Sequence, residues 1–153
     1  MFSDEHFMQQ ALKEAQKASG SQDVPIGAVI VHKNHIIGRG YNQVELLKDP
    51  TAHAEMIAIT QASSELGLKW LSGCVLYVTI EPCSMCAGAL VLSRVKRVVF
   101  GAYDPKAGAG GSVFDILNNR KLNHRIEVTP GILSRDCASL IQDFFRRQRA
   151  KDN

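Results

Sequence analysis

His53-Ala54-Glu55, followed downstream by Pro82-Cys83-Ser84-Met85-Cys86, constrains this chain more than anything else in it. An imidazole and two thiols are ligands of the kind zinc takes, and a zinc with three protein ligands keeps a fourth position open for water. Cys83 and Cys86 are three apart, so on a helix their sulfurs share a face and reach one ion. Pro82 suits a helix start, where its missing N–H costs nothing. The positive end of the helix dipole favours the thiolate, the form that binds metal. His53 and Glu55 are two apart and would diverge inside a helix. Both reach one site only if the motif stands at the very start of its helix. Asp49-Pro50-Thr51 supports a boundary there, since proline ends elements and threonine can cap. The motif thus predicts two helix N-termini converging on one metal, one on each side of strand 75–80.

With His53, Cys83 and Cys86 as ligands, Glu55 is left near the metal without having to bind it. An open zinc lowers the pKa of bound water toward about 7. A carboxylate beside that water can take its proton and pass protons to a substrate, and an apolar wall would raise its pKa for the task. The alternative is a structural zinc clip with an unnamed fourth ligand. The paired H-x-E and P-C-x-x-C favour the catalytic layout over the clip.

Hydrophobic spacing supplies the rest of the framework. Phe7, Met8, Ala11, Leu12, Ala15 and Ala18 predict an amphipathic helix over 4–19. Apolar runs at 26–31 and 36–41 flank the polar turn His32-Lys33-Asn34-His35 and predict a β-hairpin. Helices are expected over 53–66, 83–93, 115–119 (a short one) and 134–149, and strands over 75–80, 95–101 and 126–129. Strand, helix, strand over 75–101 implies a parallel βαβ crossover. The expected fold class is α/β, a three-layer α/β/α sandwich around a mixed sheet of about five strands. The Gly-rich segment Tyr103 to Ser112 completes no phosphate-binding motif and reads as a mobile surface loop.

At 153 residues, 45% of them hydrophobic and 22% charged, the chain suits one soluble domain over 1–153. No apolar run approaches the roughly 18 residues of a membrane span, and the acidic N-terminus is no signal peptide, so a cytoplasmic, non-membrane setting is expected. Cys74 and Cys137 read as small buried hydrophobes and not as a disulfide. His6, His32 and His35 read as surface residues. The net charge of +3 admits an RNA partner without requiring one. Its distribution says more, since Phe144 to Lys151 places four cations and two aromatics at one end of the chain.

H-x-E with P-C-x-x-C is the signature of zinc deaminases that act on bases. On it the chain resembles the cytidine-deaminase-like superfamily. Pro25 to Val31, Gly40-Tyr41-Asn42, Asp49 to Glu55, Glu81 to Ala89, Phe100-Gly101-Ala102, Asp104-Pro105-Lys106, Asn123-His124-Arg125, Gly131-Ile132-Leu133 and Asp143 to Arg146 make it similar to the bacterial tRNA-specific adenosine deaminases. The resemblance implies zinc-dependent conversion of adenosine to inosine at the wobble position of a tRNA anticodon, arginine tRNA being the expected one. Water on one zinc per chain would attack adenine C6, with Glu55 moving protons. The resemblance also implies a homodimer, Asn42 hydrogen-bonded to the flipped adenine, and Asp104, Lys106, Asn123, Phe145 and Arg149 lining the groove for the anticodon stem-loop. Without the resemblance, Asn42 reads as a turn residue and the terminal arginines as cations at a helix C-terminus.

Two rivals stay open. A deaminase of a free base or nucleoside, such as guanine or cytosine, shares the zinc site but has no need of the cationic, aromatic C-terminus. A non-catalytic zinc protein that binds RNA has no need of Glu55.

Overall fold

The computed structural model describes residues 1–152. Chain order begins with α1 (Asp4–Lys17), a 3₁₀ turn (Ala18–Ser21), β1 (Gly27–His32), β2 (His35–Tyr41), a single-turn α2 (Val44–Leu47) and α3 (Ala54–Leu66). It continues with β3 (Val75–Ile80), α4 (Ser84–Leu92), β4 (Arg97–Ala102), β5 (Glu127–Thr129) and α5 (Ser134–Asp152).

Lys33 and Asn34 both take left-handed φ values, 49° and 67°, as a two-residue hairpin turn requires, and β1 and β2 close antiparallel with His32 opposite His35. β1 also pairs antiparallel with β3, whereas β3–β4 and β4–β5 are parallel. The sheet order β2-β1-β3-β4-β5 is the mixed five-stranded sheet expected. Side chains alternate across it. Ala28, Ile30, Leu76, Val78, Val98 and Phe100 pack toward α3 and α4, against Ala54, Ala58, Ala87 and Leu90. Val29, Val31, Tyr77 and Val99 pack on the other face, with Phe7, Met8 and Ala11 of α1 and Cys137 of α5. The three-layer sandwich follows, with Cys74 and Cys137 buried and free as expected.

α3 precedes β3 and α4 follows it, but both lie on the same face of the sheet, so their N-termini meet at one end of β3. β2 seats α3 at short range. A side chain at Gly40 would overlap the carbonyl of Ala54, so glycine lets the helix backbone rest directly on the strand.

Two expectations fail locally. No helix forms over 115–119. Instead the Asp115 carboxylate accepts the Asn118 N–H at 3.1 Å, and the Asn119 carboxamide donates to the Asp115 carbonyl at 3.0 Å. Side chains thus take the backbone partners a helix would need. Nor is the Gly-rich segment a loose loop. Gly108 and Ala109 are buried, and the carboxylate of Glu81, 1% exposed, accepts the N–H groups of Asp104 (3.0 Å), Gly110 (2.9 Å) and Ser112 (3.1 Å) and the Ser112 hydroxyl. Of the histidines expected at the surface, His35 is exposed, while His6 and His32 are half-buried.

Candidate active site

α3 and α4 each begin on a candidate ligand residue. His53 is the N-cap of α3 and Cys83 the N-cap of α4, both in extended conformation, and neither makes a side-chain capping hydrogen bond. Leaving the caps free turns both side chains toward the space between the helices. Cys86, one turn into α4, is buried and joins them. His53 Nδ1 lies 3.6 Å from Cys83 Sγ and 3.5 Å from Cys86 Sγ, and the three donor atoms fall within 4.8 Å of one another. One imidazole and two thiols at that spacing fit a zinc ion with a coordination position to spare.

The electrostatics agree with the donor set. The Cys83 sulfur, hydrogen-bonded by the Cys86 thiol and by the His53 imidazole, is held down to about 3, well inside the thiolate range. The Cys86 thiol is pushed up because it donates its hydrogen bond to the Cys83 sulfur and is buried. His53 is raised by the same Cys83 sulfur.

Glu55 stands in the first turn of α3, 3% exposed, outside the three-residue ligand group. Burial pushes its carboxyl up to about 7. Such a group can both accept and return a proton near neutral pH.

Asn42, also buried, has its Oδ1 3.0 Å from the N–H of Ala54. It therefore ties down the first N–H of α3 between His53 and Glu55, a role its place after β2 did not reveal. Thr51 does not cap α3. It gives its hydroxyl and its N–H to Asp49 Oδ1, at 2.7 and 2.8 Å, which fixes the turn ahead of His53.

The other residues tied to RNA by resemblance divide into two groups. Asn42 and Phe145 line a cavity of about 700 Å³ with Asp23 and Val24. Phe145, Tyr103, Asp104 and Lys106 line a second, of about 420 Å³, and Phe145, Lys106 and Arg149 a third, of about 430 Å³. Phe145, at 45% exposure, is common to all three, so they form one groove along α5. Asp104 also stabilises its own turn, with Oδ1 accepting the N–H of Lys106 and of Ala107. Asn123 is not part of this groove. Its neighbour His124 bonds the Val95 carbonyl at 2.7 Å, just before β4, whereas Asp104 follows the other end of that strand. A cavity of about 720 Å³ on the outer side of α3, lined by Arg39, Met56 and Gln61, holds none of the ligands.

Two residues that shape the site carried little signal in the sequence. Glu81 is visible as the residue before Pro82, but its partners lie more than twenty positions away. Asp23 receives the Glu45 and Leu46 N–H groups at 2.7 and 3.2 Å and so positions α2 beside Asn42.

Known proteins share this arrangement. The profile of the MafB19-like deaminase family matches residues 2–149. The tRNA-specific adenosine deaminase of Bacillus subtilis (strain 168) is 48% identical over 151 residues, 99% of this chain and 94% of the relative. That of Aquifex aeolicus (strain VF5) is 49% identical, over 95% of each chain. A solved tRNA:A34 deaminase, studied for A-to-I editing at the wobble position of transfer RNA, superposes with a TM-score of 0.84 and 41% identity, over 88% of this chain and 98% of its own. A guanine deaminase from Bacillus subtilis superposes less completely, with a TM-score of 0.66 and 39% identity over 74% of this chain and 72% of its own. The chain belongs to the MafB19-like deaminase family, beside the bacterial tRNA-specific adenosine deaminases.

Proposed function

We propose that this chain, as one deaminase domain, hydrolyses adenosine to inosine at the wobble position of a tRNA anticodon, with one zinc ion held by His53, Cys83 and Cys86. The observation that carries the reading is Glu55, a buried carboxyl pushed up to about 7 beside the converging His53, Cys83 and Cys86, with Asn42 joining the helix that bears it to the cavity shared with Phe145. When bound, zinc supplies an acidified water at its open position. The chain's own residues do the rest. Glu55 accepts a proton from the attacking water and delivers it to adenine N1. It then moves a second proton to the exocyclic amine, which leaves as ammonia while the C6–O bond becomes the carbonyl of inosine. Asn42 commits its oxygen to Ala54 and keeps its NH₂ as a donor for the purine edge.

Phe145, Asp104, Lys106 and Arg149 are proposed to hold the anticodon stem-loop, whose loop bases can be splayed out and stacked. The proposed working form is a cytoplasmic homodimer. Leu92, 78% exposed at the end of α4, and the half-buried Met85, Gly88 and Ala89 behind it offer an apolar face for a second copy. No helix among the described residues is long and apolar enough to cross a membrane.

The guanine deaminase likeness favours a second reading, deamination of a free base. One experiment separates the two. The zinc-loaded chain is mixed with an arginine-tRNA anticodon stem-loop bearing a wobble adenosine, together with free guanine, cytosine, adenosine and cytidine, and the products are identified by mass spectrometry. Inosine confined to the stem-loop is the expected result. Product from a free base, with the RNA untouched, overturns the RNA reading and keeps the site chemistry.

A further inference from the structure

The only tryptophan of the chain, Trp70, is not in the core but 51% exposed. Two cations sit on its indole, Lys69 with Nζ 5.0 Å from the ring centroid and Arg94 with its guanidinium carbon at 5.8 Å. Arg94 ends α4 in the left-handed region, φ 62°, where glycine would close a helix at less cost. The arginine instead carries a guanidinium to the indole. Beside them opens a cavity of about 500 Å³ lined by Trp70, Ser72, Gly73, Arg94, Lys96, His124 and Arg125. No carboxylate lines it, and among the described residues no carboxylate forms an ion pair with Lys69, Arg94, Lys96 or Arg125. Arg94 rests against the indole and Arg125 donates to Asn118 Oδ1, but both contacts are with neutral groups, so three like charges around one hollow are left without a counter-charge. They suit an anion that arrives from outside.

This cavity is separate from the catalytic groove. It borders Val95, ahead of β4, while Asp104 and Lys106 follow β4, so roughly 20 Å of strand lies between them. An exposed indole among cations with no carboxylate partner is the chemistry that takes an unpaired base on its face and phosphates at its rim. Apolar partners would leave the cations desolvated, and a small anion alone would leave the indole unused.

We propose that the Trp70–Arg94–Lys96–Arg125 cavity is a second RNA site, which holds phosphates and stacks one unpaired base of the substrate RNA outside the anticodon loop. This rests on the RNA-substrate reading above. It makes the intact tRNA a better ligand than its isolated anticodon arm.

Trp70 is its own reporter, since it is the only tryptophan. Intrinsic fluorescence is titrated with whole tRNA and with the isolated stem-loop, and deamination is followed in the same samples. Whole tRNA should quench Trp70 saturably, and the stem-loop should not. Trp70→Ala should weaken whole-tRNA binding about ten-fold and leave stem-loop binding unchanged, with Trp70→Phe restoring most of it. Arg94→Ala with Lys96→Ala should lower the salt dependence of whole-tRNA binding by about one unit of slope per cation removed. Quenching by no RNA, or equally by the stem-loop, overturns the site. So does a change of oligomeric state in Trp70→Ala by sedimentation, because the indole then serves a contact between copies. If the stem-loop is deaminated while Trp70 stays unquenched by any RNA, this site fails and the proposed activity stands. If Trp70 is quenched by tRNA that is never deaminated, the activity fails and the site stands.

Discussion

The carboxamide oxygen of Asn42 lies 3.0 Å from the N–H of Ala54 and so joins the end of β2 to the first turn of α3, between His53 and Glu55. One side chain thereby serves two partners, the helix through its oxygen and a substrate through its nitrogen. Substitutions should separate the two. Asn42→Ala removes both and is expected to cost about 1–2 kcal/mol of stability as well as activity. Asn42→Asp keeps the acceptor and loses the donor, so it should melt near the parent temperature with KM raised. Calorimetry and steady-state kinetics on the pair check this, and equal loss of stability in both would deny the division of roles.

Glu55→Gln keeps the shape of the side chain and removes its proton. It should retain one zinc per chain by metal analysis, while turnover falls by a factor of about 10²–10⁴. Loss of zinc along with activity would show that Glu55 holds the metal after all.

Glu81 clamps the segment from Asp104 to Ser112 from a buried position, and Gly108 lets it do so because a Cβ there would overlap the carboxylate. Glu81→Ala leaves three N–H groups without their acceptor and should destabilise by about 2–4 kcal/mol. Gly108→Ala should act the same way from the other side. Hydrogen exchange at Gly110 and Ser112 is the direct measurement, and both variants should speed it.

Acid should weaken the fold through two carboxylates. Arg97 donates to both oxygens of Asp4, at 2.9 and 3.1 Å, and holds its carboxyl below the ordinary 3.8, helped by Tyr77 O–H at 2.7 Å. Burial would raise Glu81, but the Ser112 hydroxyl and three backbone N–H groups outweigh it and keep it below 4.5. A folded-state pKa below the unfolded one contributes stability that is complete above the unfolded value and lost as pH falls through the folded value. The loss therefore begins near pH 4 and grows below it. Urea unfolding between pH 3 and 7 should show it, and Asp4→Asn should flatten the acid limb while leaving the Glu81 share.

The site was more legible than its supports. The i, i+3 spacing of Cys83 and Cys86 and the i, i+2 spacing of His53 and Glu55 each admit only one kind of local geometry, and both helices start where that requires. The apolar runs of β1, β3 and β4 likewise marked buried strands, though a run apolar on both faces does not show which residues meet which helix layer. What stayed hidden depends on partners far along the chain. Glu81 looked like a polar residue before a proline, yet it folds a Gly-rich segment that composition alone marks as loose. At Asp115 to Asn119, helical spacing was outcompeted by carboxylate and carboxamide groups bonding their own backbone. Asn123 lies toward the start of β4, apart from Asp104 at its end, because a motif fixes neighbours in sequence and not which end of the sheet they reach.

Gly40 presses β2 against α3 with no side chain between them, and Asn42 fastens the helix two residues later. The seat of α3 on the sheet, and with it the place of His53, is thus set by backbone against backbone, with no rotamer able to take up slack. An inserted residue between Gly40 and Asn42 would turn the strand over and carry the carboxamide away from Ala54. The hairpin tip at Lys33 and Asn34 bears on neither partner, so length added there should leave the metal ligands where they are. The chain can be lengthened at one end of this strand and hardly at all at the other.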